Sequence, residues 1–217
     1  MGIQRVNLWV VLSISLNALG NSLMITANLG SSPWTSAGQN LVSIMPLSIG
    51  SAIILFNVSS FVLSYLLKVR FTLWTIVKSI VLSFVFGLFI DVFVFLLGLI
   101  FASENIWIRS LYLVIGINFI AIALSIHFQC NSVYLPLDYL LQAFAKLKKS
   151  YTVGAILCMS IPLSISTSIC LFQHHVTGVG IGTILFVLGV GFLIDRYNQV
   201  VFINKPSYSS MKVDDSL

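Results

Sequence analysis

Six long apolar stretches, separated by short polar segments, dominate the pattern of the chain. They cover residues 6–29, 49–67, 71–102, 109–128, 152–172 and 177–197. A helix of about 20 apolar residues crosses a bilayer, and these stretches lack the strict alternation of barrel strands. The pattern therefore predicts an all-α, polytopic membrane protein with six transmembrane helices, and it predicts a kink at Pro162 in the fifth.

Two shorter segments begin with proline, at Pro33 and Pro136. Each is roughly 12–15 residues long, which is too short to cross a bilayer, and proline suits the first turn of a helix. One interpretation is a re-entrant half-helix whose N-terminus faces a substrate or an ion. The other is an amphipathic helix at the membrane interface, which the leucines and the basic end of residues 136–149 favour. The sequence leaves the choice open.

Composition supports membrane insertion and narrows the classes of function. Of the 217 residues, 58% are hydrophobic and only 8% are charged, whereas about a quarter of a soluble domain is charged. The lipid bilayer is therefore an expected partner. The three cysteines, Cys130, Cys158 and Cys170, have no metal-ligand spacing and form no even set. We find no P-loop, nucleophile elbow or metalloprotease motif, so we expect no enzyme, no cofactor and no bound metal.

The net charge of +5 reflects membrane orientation and does not indicate a nucleic-acid partner. With six spans, ten of the eleven lysines and arginines fall on one side, and only Arg109 falls on the other. Lys and Arg near spans are retained in the cytoplasm. The count predicts a multi-pass membrane protein with both termini in the cytoplasm, including a tail over residues 198–217.

Two similar motifs reveal an internal repeat. "GLFID" at residues 87–91 and "GFLID" at residues 191–195 lie 104 residues apart. Other matches follow in order at a spacing of 103 or 104 residues: Arg5 with Arg109, Pro33 with Pro136, Gln39 with Gln142, and Gly50 with Gly154. Self-similarity at a fixed period indicates a structural repeat, so we predict three-helix repeats over residues 1–103 and 104–197.

An odd number of spans in each repeat predicts that the two halves insert in opposite senses. Inverted repeats recur in secondary transporters, where the halves pack about an axis in the membrane plane. Such an architecture supplies two nearly equivalent conformations, each open to one side. It does not by itself identify a substrate.

Several segments resemble the bacterial YczE/YyaS/YitT-type membrane proteins. These are "LGSSPWTSAGQNL", "SIGSAIILFN" and "GLFIDVF" in the first half and "GVGIGTILFVLGVGFLID" in the second. The resemblance spans roughly residues 6–197. It implies an integral protein of the bacterial plasma membrane, of a type sometimes described as candidate transporters. The glycines of "GVGIGT" have no counterpart in the aligned "WTIVKS" of the first half.

Asp91 is the first candidate for chemistry, because it is the only acid between Met1 and Ala102. A carboxylate within a span costs about 2.5–3.5 kcal/mol on insertion scales, so it should face protein or water. It could form a proton- or cation-linked site. Alternatively, it could tie the third span to a neighbour or lie at the outer interface.

Other polar residues in apolar surroundings are weaker candidates for binding a solute or an ion. Gln39 and Gln142 could bind a polar ligand or join helices by hydrogen bonds. Asn17 and Asn21 lie four residues apart on the first span and could line a polar path or bond to another helix. Asp195 is adjacent to Arg196, which fits an interfacial charge pair, although Asp91 and Asp195 could each help to close one vestibule.

Two functions remain as hypotheses from the sequence. The first is a transporter of a small organic solute, with proton coupling through Asp91. The second is a non-transporting accessory protein that supports another membrane complex, suggested by the Gly-rich sixth span and the basic inner surface. We also consider a homodimer.

Overall fold

A computed structural model describes residues 3–100, 103–130, 133–148, 151–201 and 203. All the regular secondary structure within these residues is helical. The helices are α1 (Ile3–Ala27), α2 (Pro33–Val42), α3 (Ile49–Leu66), α4 (Leu73–Ile100), α5 (Ile106–Cys130), α6 (Pro136–Lys148), α7 (Tyr151–Gln173) and α8 (Ile181–Asn198). Six of them are long and apolar enough to cross a membrane, which confirms the predicted all-α polytopic fold. The predicted tail lies mostly outside the described residues.

Local chemistry explains where several helices begin. Pro33 and Pro136 each occupy the first position of a short helix, where the missing N–H costs nothing. Ser48 caps α3 by accepting a hydrogen bond from the Ser51 amide at 3.1 Å. The helix α7 continues through the buried Pro162, and the kink predicted there remains a prediction.

Four helices pack side by side in the order α4, α1, α5 and α8. α1 crosses α5 in the most extensive helix contact of the described chain, α4 packs on α1, and α8 packs on α5. Contacts along the crossing join Ser13 to His127 and Gly20 to Gly116, so α1 and α5 run antiparallel. We call α4, α1, α5 and α8 the central layer.

The other four helices form a closed ring. α2 contacts α3, α3 contacts α6, α6 contacts α7, and α7 contacts α2. We call this group the helix ring; it contains both of the short helices that begin with proline. The ring meets the central layer mainly where α3 packs on α4. The two groups therefore have a well-defined interface.

Candidate functional site

Asp91 binds the N-terminus of α3 from its position on α4. One carboxylate oxygen accepts a hydrogen bond from the Ser48 hydroxyl at 2.6 Å, and the other accepts one from the Gly50 amide at 2.7 Å. The amide groups of a first helical turn have no partner within their own helix, and the helix dipole favours a negative charge there. The partly buried Asp91 thus connects the central layer to the ring through two charge-assisted hydrogen bonds. We call this contact the Asp91 latch.

The glycines beside the latch explain the motif "GLFID". A Cβ atom on Gly50 would collide with the backbone carbonyl oxygen of Gly87. A Cβ atom on Gly87 would lie 2.8 Å from the Gly50 carbonyl oxygen and 2.7 Å from Ile54 Cδ1. Small residues allow such close approach of helix backbones. Gly87 therefore brings α3 against α4, and Asp91, one turn later, reaches the N-terminus of α3.

Four polar side chains form a buried cluster where α1 meets the beginning of α2. We call them the asparagine cluster: Asn17, Asn21, Ser32 and Thr35. Asn21 donates from its amide nitrogen to the Asn17 side-chain oxygen at 2.8 Å. The Asn21 side-chain oxygen accepts hydrogen bonds from the Ser32 and Thr35 hydroxyls at 2.8 and 2.7 Å. The cluster concentrates amide and hydroxyl groups that could instead bond to a polar solute.

Residues adjacent in sequence to the asparagine cluster and to the Asp91 latch meet at the contact between α1 and α4. The Ser22 hydroxyl donates to the backbone oxygen of Ile90 at 3.3 Å, which joins α1 to α4. Ser22 follows Asn21 directly, and Ile90 precedes Asp91. Two of the polar positions that the sequence singles out are therefore near this one α1–α4 contact.

Gln39 lies in a separate contact between two loops. Its side-chain oxygen accepts a hydrogen bond from the Ser31 hydroxyl at 2.7 Å, and its side chain packs on Gly178. The Ser31 amide donates to the Gly178 backbone oxygen at 2.9 Å, and the Gly182 amide donates to the Leu29 backbone oxygen at 2.8 Å. The glycines of "GVGIGT" thus allow the loop before α8 to pair with the loop before α2.

The two candidates in the second half make no comparable contacts. Within the described residues, Gln142 and Asp195 have no hydrogen-bond or ion-pair partner, and Asp195 is exposed. α7 does not pack along α8 as α3 packs along α4. A Cβ atom on Gly191 would meet nothing within 4 Å. The assignment of all six candidates to a solute or ion site stays a prediction.

The link between α2 and α7 involves polar residues that we did not identify from the sequence. The Asn40 amide donates to the Thr177 backbone oxygen at 2.7 Å, and the Cys170 thiol contacts the Asn40 oxygen at 3.2 Å. The Ser36 and Ser166 hydroxyls lie 3.2 Å apart. Single Ser and Asn residues are common in spans, so only their placement on facing helices reveals this contact.

His127 is a second feature that the sequence did not indicate. It is 4% exposed, and its Nδ1 atom lies 3.3 Å from the Ser13 hydroxyl at the α1–α5 contact. That hydroxyl donates to the Val10 backbone oxygen at 2.8 Å. The His127 Nε2 atom has no partner among the described atoms. A single histidine near the end of a span carries no signal that would predict such burial.

Arg109 has a structural role beyond membrane orientation. Its guanidinium group donates to the backbone oxygens of Ala27 at 2.7 Å and Asn28 at 2.6 Å. Those carbonyl groups lie at the C-terminal end of α1, where a helix lacks internal donors and its dipole favours a cation. Arg109 therefore fixes the beginning of α5 to the end of α1. The side chain of its repeat counterpart, Arg5, lies outside the described atoms.

Asp138 is an acid in the first turn of α6, which is not one of the six spans. It accepts a hydrogen bond from the Leu135 amide at 3.1 Å. Although some of the residue's surface is accessible, protein surrounds the carboxyl group, and this desolvation raises its pKa from 3.8 to about 7. Desolvation, followed by the charge of Asp138, raises the pKa of Tyr134 to about 12. Burial of the Asp138 carboxyl group thus favours its neutral form.

These helices and contacts define a polytopic helical membrane protein. The chain belongs to the DUF6198 family, a family of unknown function whose model matches residues 4–199. It is also similar to an uncharacterized protein of Haemophilus influenzae, with 23% identity over 200 residues that cover 88% of this chain and 83% of the relative. No solved structure matches the chain.

Proposed function

We propose that this protein transports a small organic solute across the bacterial plasma membrane by means of two inverted three-helix repeats. The observation that carries this proposal is an exchange of helix contacts. Shifting the numbering by about 104 residues converts α1, α2, α3 and α4 into α5, α6, α7 and α8. The same shift converts the α1–α4 contact into α5–α8, α2–α3 into α6–α7, and α2–α7 into α3–α6, and all six contacts are present.

The exchange supports an inverted repeat because two of these six contacts join different halves of the chain. Adjacency in sequence explains neither the α2–α7 contact nor the α3–α6 contact. The antiparallel α1–α5 crossing, which maps onto itself, fits halves that insert in opposite senses. The resemblance to the YczE/YyaS/YitT type, some of whose members are described as candidate transporters, agrees with this proposal.

The asparagine cluster is the proposed contact for a polar part of the solute. It lies beside the interface between the central layer and the ring, and polar groups within a membrane often mark a pathway. We propose transport as the activity and assign no catalytic role to these residues. The Asp91 carboxylate supplies the proposed proton coupling.

Replacing Asn21 by leucine should reduce solute flux about tenfold, because it leaves the Asn17, Ser32 and Thr35 groups without their shared partner. Purified protein in liposomes can be tested against a panel of labelled amino acids, sugars and organic acids, with an internal dye reporting pH. The control is Asn118→Leu. The Asn118 side-chain oxygen accepts a hydrogen bond from the Tyr197 hydroxyl at 2.6 Å, and Asn118 lies outside the cluster.

The outcomes of this flux assay separate the parts of the proposal. If correctly folded and oriented protein moves no solute, ion or proton across the panel, the protein is not such a transporter. If Asn21→Leu and Asn118→Leu transport equally well, the cluster does not bind solute. Unchanged proton-linked flux in Asp91→Asn would show that Asp91 does not supply the proton coupling, without removing transport.

The accessory function is a second candidate, and the exposed face of α8 favours it. Among the described residues in other parts of the protein, none would lie within 4 Å of a Cβ atom on Gly189 or Gly191, so a helix of a partner or of a second copy could pack closely there. Crosslinking and co-purification distinguish these cases. A partner at fixed stoichiometry supports the accessory role, a dimer supports self-association, and a monodisperse monomer argues against both.

A further inference from the structure

One helix contact of the first half has no counterpart in the second half. α3 packs on α4, but the corresponding helices α7 and α8 do not pack in this way. Gly50 faces Gly87 on α4. Its counterpart Gly154 faces α6 instead, where a Cβ atom on Gly154 would lie 2.5 Å from the Ala145 Cα atom. The same repeat position therefore supports two different helix pairings.

The carboxylates differ in the same way. Asp91 accepts two hydrogen bonds from the beginning of α3, whereas Asp195 is exposed and has no partner within the described chain. The donors that Asp91 uses are repeated in the sequence at a spacing of 104 residues: the Ser48 hydroxyl corresponds to that of Thr152, and Gly50 corresponds to Gly154. The second half thus carries the residue types needed for an equivalent latch.

We propose that Asp91 and Asp195 are alternating latches. In the conformation described here, the Asp91 latch closes the interface between α3 and α4, while the interface between α7 and α8 is open. In a second conformation, Asp195 binds the N-terminus of α7, and Asp91 releases α3. This inference rests on the proposed transport function, because inverted repeats place the two interfaces at opposite faces of the membrane.

The second conformation requires two local changes. Gly154 must leave Ala145 so that α7 can approach α8 near Gly191. α7 must also begin two residues later, because α3 begins at Ile49, which corresponds to residue 153, whereas α7 here begins at Tyr151. That change would expose the Gly154 amide as a first-turn donor, the position that Gly50 occupies in α3.

Distances between spin labels test the inference in the full-length protein reconstituted in lipid vesicles. One pair replaces exposed residues beside the α3–α4 interface, Met45 and Leu99, and the other replaces exposed residues on α7 and α8, Ile156 and Phe192. The three native cysteines, all buried, are replaced by alanine. Flux is measured on the same samples.

Asp91→Asn should shift the population ratio of the two conformations about tenfold, because hydrogen bonds to a charged acceptor are lost. The α3–α4 distance should lengthen and the α7–α8 distance should shorten. Adding Asp195→Asn should reduce the new population, since it removes the second latch. Gly50→Ala crowds the α3–α4 contact while keeping Asp91. It should therefore also lengthen the α3–α4 distance and shorten the α7–α8 distance, even if Asp91→Asn fails to fold.

The inference is overturned if Gly50→Ala and Asp91→Asn leave both distances unchanged, if both distances change in the same direction, or if Asp195→Asn has no effect on the population that Asp91→Asn creates. If solute flux is observed while both distances stay unchanged in the variants, the latch hypothesis is rejected and the transport hypothesis stands. If the two distances change in opposite directions but no tested solute moves, the transport hypothesis is rejected and the latch hypothesis stands.

Discussion

Replacing Gly116 by valine should destabilise this protein by about 3 kcal/mol or more, because the substitution overpacks the central helix crossing. A Cβ atom at this position would lie 2.7 Å from the Gly20 backbone oxygen and 2.9 Å from Met24 Cγ. The backbone oxygen cannot move aside without separating α1 from α5. Thermal unfolding in detergent, followed with size-exclusion chromatography, measures the effect.

Gly189→Val is the matched control for this substitution. Gly189 is also a helical glycine, but a Cβ atom there would meet nothing within 4 Å. We expect its unfolding temperature to stay near that of the unmodified protein. Equal unfolding temperatures for Gly116→Val and Gly189→Val would contradict the packing of α1 against α5 described above.

Gly87→Ala should cost about 1–3 kcal/mol, whereas Gly98→Ala should be neutral or slightly stabilising. Both glycines lie on α4, so the change in helix propensity from glycine to alanine is the same in the two variants. A Cβ atom on Gly87 would press on Ile54 and on the Gly50 carbonyl oxygen, whereas one on Gly98 would contact nothing within 4 Å. Chemical unfolding of the two variants under one detergent condition measures the difference. Equal stability would show that Gly87 is not needed for the α3–α4 approach.

The sequence predicted the helices well because their signals are local. Spans depend on the length of apolar stretches, and the short helices at Pro33 and Pro136 depend on the preference of proline for a first turn. The structure places the third span over Leu73–Ile100, close to the predicted residues 71–102. Whether the short helices are re-entrant or interfacial depends on their depth in the bilayer, and both placements stay predictions.

The contacts of the candidate site were harder to predict because they join distant parts of the chain. Asp91 was identified as an unusual acid, but its partners Ser48 and Gly50 are more than forty residues away. Only the approach of α3 to α4 brings them together. Arg109 stands out in the sequence through its charge and its match to Arg5, but neither feature predicts that it binds the end of α1.

The differences between the halves could not be predicted from a repeat. A repeat predicts equivalent surroundings for Asp91 and Asp195, yet one is bound to a helix N-terminus and the other is exposed. Which pairing Gly50 and Gly154 adopt depends on the conformation of the whole molecule. The motifs "GLFID" and "GFLID" therefore specify a contact that each half can form, without specifying which half forms it here.

The most direct test of the account is the side of the membrane that each half presents. Single cysteines can replace Met45, in the loop before α3, and Leu147, near the end of α6, both of which are exposed. Intact cells are treated with a membrane-impermeant maleimide, and permeabilised cells provide the control for reactivity. Inverted repeats with both termini in the cytoplasm predict that Met45→Cys reacts in intact cells and that Leu147→Cys reacts only after permeabilisation. Labelling of both positions from the same side would contradict the inverted arrangement and the transport mechanism built on it.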